Sequence, residues 1–201
     1  PPMNEIVFPA GIMQPPFFDA NADDAVNYGG MGAVIGHEIT HGFDDQGRQF
    51  DAKGNLTDWW TKEDEERFTK RADVVVDQFN NYAAIDSLKV NGKITLGENI
   101  ADLGGLSIAY HAFKKTLDPA KEQQKIDGYT PAQRFFLAWA QMWRRNYTPQ
   151  NLRQRIVTDP HAPSVFRCNG PLSNMAEFFE AFGCKDRDAM VRAKEKQVKI
   201  W

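Results

Sequence analysis

The chain has 201 residues, 42% of them apolar, with a formal net charge of −3 and two cysteines. That length suits one large domain or two small ones and supplies enough apolar side chains for a sizeable core. No basic patch interleaves with aromatics, so nucleic acid is not suggested, and no apolar run approaches the roughly 18 residues of a membrane span. No signal peptide is visible, and the chain opens at Pro1-Pro2, so it reads as a fragment or processed piece whose compartment stays open.

Residues 1–18 carry five of the eleven prolines, and Glu5-Ile6-Val7-Phe8 between them is predicted as a short edge strand of a small N-terminal sheet. Gly29-Gly30 punctuate the approach to a helix over 28–45, to which Met31, Val34, Ile35 and Ile39 give apolar contacts. Residues 47–58 alternate loosely around Lys53-Gly54-Asn55, as a hairpin does. Thr61 with Asp64 resembles a capping box opening a helix over 62–83, with Phe68, Val75 and Phe79 in the core. After a turn at Val90-Asn91-Gly92-Lys93, Gly97 precedes a helix over 98–117. Thr130-Pro131 and Thr148-Pro149 each set a capping threonine before a first-turn proline, starting helices at 131–146 and 149–157. Ser173 caps a last helix that stops at Gly183. The expected fold is α+β and mainly α-helical.

The residues that carry chemistry begin with His37-Glu38-Ile39-Thr40-His41. Four residues is about one helical turn, so the two imidazoles stand on one helix face. Neutral imidazole suits Zn²⁺, and Glu38 projects toward the same metal, where it can take a proton from a zinc-bound water. A catalytic zinc needs a third protein ligand and an open position. Glu98 in Gly97-Glu98-Asn99-Ile100-Ala101-Asp102 is the candidate, with Asp102 one turn later placed to accept the N–H of a zinc histidine. Asp44, three residues after His41, could serve the other histidine, and Asp45 competes for that role. A pair of solvated carboxylates is the plain alternative for Glu98 and Asp102. His161 and Arg167 lie in a segment that reads either as a proline-rich turn or as the cation that meets a developing oxyanion and the arginine that holds a substrate carbonyl. His111 has nothing catalytic near it in sequence. Cys168 and Cys184 could pair across fifteen residues or both be free, and neither has a CxxC partner.

Four stretches resemble the neprilysin family of zinc metallopeptidases: residues 7–18 (Val-Phe-Pro-Ala-Gly-Ile-Met-Gln-Pro-Pro-Phe-Phe), Gly36 to Asp45 around the two histidines, Leu96 to Asp102, and Asp159 to Arg167. The terminal Trp201 is also as in that family. The resemblance runs from end to end and implies a thermolysin-like zinc peptidase domain over 1–201. It assigns one zinc to His37, His41 and Glu98 and makes Glu38 the base. It gives Asp44 and Asp102 the orientation of the histidines, His161 steadied by Asp159 the oxyanion, and Arg167 the carbonyl just downstream of the scissile bond. Phe17, Val34, Met142 and Trp143 fall where the family lines a pocket for large apolar side chains, although ordinary core positions would look the same. The implied activity is cleavage of oligopeptides on the amino side of large hydrophobic residues.

Three departures from the family pattern stand out. The family's Asn-Ala-aromatic edge strand, which would precede Pro1, and its helical cover domain are absent. Val198 stands where the animal members have a cysteine, which leaves Cys184 without that partner, so the bacterial oligopeptidases fit better. The resemblance therefore also implies a partnership with the upstream part of a parent chain, and a cell-envelope or secreted location with the cytoplasm as the alternative. Two other readings remain open: an inactive peptide-binding or structural fragment that needs those upstream segments, and a structural zinc site, for which no fourth ligand is evident.

Overall fold

The computed structural model describes residues 1–201 and is mainly helical. Its α-helices, in chain order, are α1 (Asp24–Asn27), α2 (Ala33–Thr40), α3 (Lys62–Asn80), α4 (Leu96–Thr116), α5 (Pro131–Met142), α6 (Pro149–Thr158), α7 (Ser164–Leu172) and α8 (Ala176–Phe182). The one sheet is an antiparallel pair, β1 (Ala83–Ile85) and β2 (Leu88–Lys89), between α3 and α4.

Side-chain caps set half of the helix starts, those of α1, α3, α5 and α6. The Thr61 side chain accepts from the Asp64 N–H at 3.1 Å, and Thr148 accepts from the Asn151 N–H at 3.3 Å. Thr130 and Gln133 form a reciprocal capping box at the start of α5. Gly183, at φ +64°, closes α8 in the left-handed conformation that favours glycine.

Several sequence expectations are corrected. The small sheet lies at residues 83–89 and not at the N-terminus, where Glu5 to Phe8 form no strand because no neighbouring segment offers them a ladder. Residues 47–58 make only an isolated bridge between Phe50 and Leu56. The helix expected over 28–45 is α1 continued through a π-helical turn, Tyr28–Gly32, into α2. It stops at Thr40, and His41 opens a 3₁₀ turn, His41–Phe43. Helix α7 was not foreseen. Ser173 ends that helix, and Met175 is the N-cap of α8.

The first part of helix α4, from Leu96 to Leu106, is buried or half-buried on every side, and Ile108, His111 and Lys115 face outward beyond it. Leu96, Ile100 and Leu103 at its start join Phe68, Val75 and Phe79 of α3 in one apolar cluster. Leu106, Tyr110 and Phe113 at its end join Phe135, Phe136 and Trp139 of α5 in another. Helix α2 crosses α4 where Gly36 meets Gly105. A Cβ on Gly36 would lie 2.6 Å from the Gly105 carbonyl oxygen, and a Cβ on Gly105 would lie 2.3 Å from the His37 nitrogen. Only two glycines permit so close a crossing. It brings the first two turns of α4 against the last turn of α2, and the conspicuous side chains of the sequence lie there.

Candidate active site

Three side chains converge at this crossing. His37 from α2, His41 from the following turn and Glu98 from α4 place their donor atoms within 4.8 Å of one another. His37 Nε2 lies 3.0 Å from His41 Nε2 and 3.4 Å from Glu98 Oε2, and His41 Nε2 lies 3.5 Å from Glu98 Oε1. Tetrahedral ligands at zinc bond lengths stand about 3.3 Å apart. The donor spacing therefore matches one face of a zinc tetrahedron.

The outer nitrogens fix the tautomers. His37 Nδ1 donates to Asp102 Oδ1 at 2.8 Å, and His41 Nδ1 donates to Asp44 Oδ2 at 2.7 Å. Ionised carboxylates only accept, so both Nδ1 atoms carry hydrogen. Both Nε2 lone pairs then point at each other across 3.0 Å, an arrangement that needs a shared proton or a metal ion. Glu98 Oε2 is buried with no hydrogen-bond partner, although the Arg167 guanidinium is 3.1 Å away. An orphaned carboxylate oxygen beside two converging imidazole lone pairs is a donor set that fits a divalent zinc ion. Burial pushes His37 down, but the facing carboxylates of Asp102, which accepts from Nδ1, and of Glu98 outweigh it and hold the imidazole at about 9.

The supporting residues are packed and specific. Asp44 is buried and also accepts from the backbone N–H groups of Gln46 and Gly47 at 2.8 and 2.7 Å. Asp45 touches neither histidine and leaves Oδ1 unpartnered, so Asp44 holds the place for which the two competed. Asp102 is 1% exposed and receives the Arg167 fork, Nε to Oδ2 and Nη2 to Oδ1, both at 2.7 Å. Trp143 lies under that guanidinium, 4.4 Å from its ring centroid. His161 Nδ1 lies 2.7 Å from Asp159, and its Nε2 faces Glu98 at 3.3 Å. The Glu98 hydrogen bond is the main cause that holds His161 above the ordinary histidine value.

A cleft of about 320 Å³ opens over these groups. Glu38 is exposed on its wall, with His161 and Arg167 facing it. Phe17, Val34, Met142 and Trp143 form its apolar side, each part-exposed, with Met142 and Trp143 also packed against the core cluster of α4 and α5. Trp139 completes that wall and was missed in the sequence, where its helical spacing marks it only as core. His111 lies outside the cleft, bonded to the Ser107 carbonyl. Both cysteines are free, and burial pushes the Cys168 thiol up to about 12, which makes it inert.

The family model "Peptidase family M13" matches residues 1–198. The endothelin-converting enzyme homolog of Locusta migratoria is 49% identical over 186 residues, which is 92% of this chain and 25% of that protein. Human neprilysin is 46% identical over 202 residues, covering 98% of this chain and 27% of its own length. The chain thus spans about a quarter of the length of these curated relatives. Among solved structures, the Mycobacterium tuberculosis zinc metalloprotease Zmp1 in complex with inhibitor superposes with a TM-score of 0.96 at 48% identity, over 100% of this chain and 32% of that one. PepO from Lactobacillus rhamnosis gives 0.86 at 35% identity, over 96% of this chain and 29% of that one. Animal and bacterial members stand at similar identity, so the comparison does not separate the two branches. The fold is that of the thermolysin-like zinc peptidases, and the chain belongs to peptidase family M13, the neprilysin family of zinc metallopeptidases.

Proposed function

We propose that residues 1–201 form the catalytic domain of a zinc endopeptidase that cleaves oligopeptides on the amino side of large hydrophobic residues. The observation that carries this reading is the convergence of His37, His41 and Glu98 beneath a cleft whose wall carries Glu38. One zinc per chain, held by that triad, would supply Lewis acidity, which acidifies water and polarises a peptide carbonyl. Glu38 accepts the proton of the attacking water and returns it to the leaving amine. His161, held by Asp159 and favoured as a cation by Glu98, donates to the developing oxyanion. Arg167, fixed in plane by Asp102 and Trp143, orients the carbonyl of the residue after the scissile bond. Phe17, Val34, Trp139, Met142 and Trp143 exclude water from the adjoining side chain.

Glu38→Gln tests the reading. It should keep zinc and lower kcat on a peptide with Phe or Leu after the scissile bond by about 100-fold or more. Turnover at the wild-type rate would sink the base assignment, and equal cleavage before Ala and before Phe would sink the pocket.

A second reading is favoured by one observation. Ile35 and Ile39 on the outer side of α2, and Phe43 in the 3₁₀ turn that follows it, are 40%, 42% and 44% exposed. Such a stripe suits burial against the upstream part of a longer parent chain, without which the domain would bind zinc and peptide but turn nothing over. One zinc per chain with no cleavage of any peptide would favour it. No helix is long and apolar enough to cross a membrane. A cell-envelope or secreted location, favoured over the cytoplasm, is proposed on the family resemblance alone.

A further inference from the structure

A second cavity, of about 380 Å³, adjoins the catalytic cleft and shares Trp143, His161 and Arg167 with it. Its remaining wall comes from the connector between α5 and α6, from α6 itself and from the segment that leads into α7. Three arginines and one carboxylate line it: Arg145, Arg155, Arg167 and Asp159. The charges do not balance. Arg167 is spent on Asp102, and Arg155 pairs with Asp159, which also holds His161. Arg145 has no carboxylate within salt-bridge range; its guanidinium packs 5.9 Å from the centroid of the Tyr147 ring. The Tyr147 hydroxyl is hydrogen-bonded to Ser164 Oγ at 2.7 Å, which pins this wall to the start of α7. Burial acts to raise the Tyr147 phenol, yet the Ser164 bonds and the Arg145 charge outweigh it and hold it below the ordinary value.

We propose that this cavity is a subsite for a carboxylate of the peptide, with Arg145 as the group that reads it. The proposal rests on the peptidase reading above and adds a charge preference at a position near the scissile bond. A guanidinium with no carboxylate partner, beside an open cavity and steadied only by Tyr147, presents a fork of N–H donors that matches a carboxylate in two parallel hydrogen bonds. Leu152, Ala162 and Pro163 supply an apolar floor for the methylene stem of a glutamate. The same chemistry could come from an acidic side chain or from the C-terminus of a short peptide.

The test uses zinc-loaded protein and labelled peptides that carry Glu, Gln or Lys at successive positions around a Phe, each with a free or an amidated C-terminus. Dissociation constants are read by fluorescence anisotropy in the Glu38→Gln background, and kcat/KM in the wild-type background. At one position the Glu peptide should bind about five-fold more tightly than its Gln counterpart, the scale of an exposed charge pair, and the ratio should collapse in high salt. A response to amidation instead of Glu would assign the subsite to the C-terminus. Arg145→Gln should bring the ratio to about one, and Arg145→Glu should invert it in favour of Lys. A wild-type ratio of about one at every position and both termini overturns the proposal, as does an unchanged ratio in Arg145→Gln. Charge-selective binding without cleavage supports the subsite and defeats the peptidase reading. Cleavage without charge preference does the reverse.

Discussion

A methyl group on Gly105 would drive apart the two helices that build the site. The added Cβ would sit 2.3 Å from the His37 backbone nitrogen and 2.6 Å from its Cα, where ordinary contact begins at 3.4 Å. Backbone atoms cannot rotate aside, so α2 and α4 must part by about 1.1 Å, the difference between the two distances. Gly105→Ala should therefore cost about 3 kcal/mol, the upper end for an overpacked core, and lower Tm by roughly 6–12 °C. The effect on metal should be larger in proportion. Ligand distances tolerate only about 0.2 Å, so withdrawing Glu98 from the histidine pair should weaken zinc by about 100-fold or more. Thermal melts with and without zinc, and competition for zinc against a chromogenic chelator, read both quantities. Gly42→Ala is the control, because a Cβ there meets nothing within 4 Å although it adjoins His41. Wild-type Tm and zinc affinity in Gly105→Ala would refute the close crossing as the device that assembles the site.

Two further outcomes follow from the charges around the triad. Asp102→Asn removes the charge that pairs with the buried Arg167 and turns one of the two accepting oxygens into an NH2 donor facing Arg167 or His37, so it should cost about 3 kcal/mol in chemical denaturation and weaken zinc 10–100-fold; a neutral effect on both would show that the clamp is dispensable. His37, raised to about 9 from an ordinary 6.5, stabilises the fold fully below pH 6.5 in the absence of metal, and that contribution is lost as pH rises through 9. Zinc must displace the same proton, so its affinity should climb across this window while stability without metal falls. Melts in chelator from pH 6 to 9.5 that show no decline would contradict the assignment.

The part of the site that lies within single helices was legible in the sequence. The four-residue spacing of His37 and His41, and of Glu98 and Asp102, follows from the helical turn alone. The caps at Thr61, Thr130 and Thr148 are local hydrogen bonds and were equally legible. What joins the halves was not. The Gly36–Gly105 crossing, the Arg167 fork on Asp102 sixty-five residues away and the Trp143 ring beneath it are tertiary contacts, which leave no period in the chain. Glu5 to Phe8 failed as a strand for a related reason, since a strand is defined by its partner and edge composition alone does not supply one. Helix α7 was hidden because Pro160 and Pro163 dominate its approach, while Pro163 in fact stands at its N-cap, where a proline costs no helical hydrogen bond.

Zinc content per chain after exhaustive dialysis tests the central claim most directly. Wild type and Glu38→Gln should each retain one equivalent, while His37→Ala, His41→Ala and Glu98→Ala, each shown folded by circular dichroism, should retain almost none. A folded Glu98→Ala protein that keeps a full equivalent of zinc at wild-type affinity would contradict the ligand set.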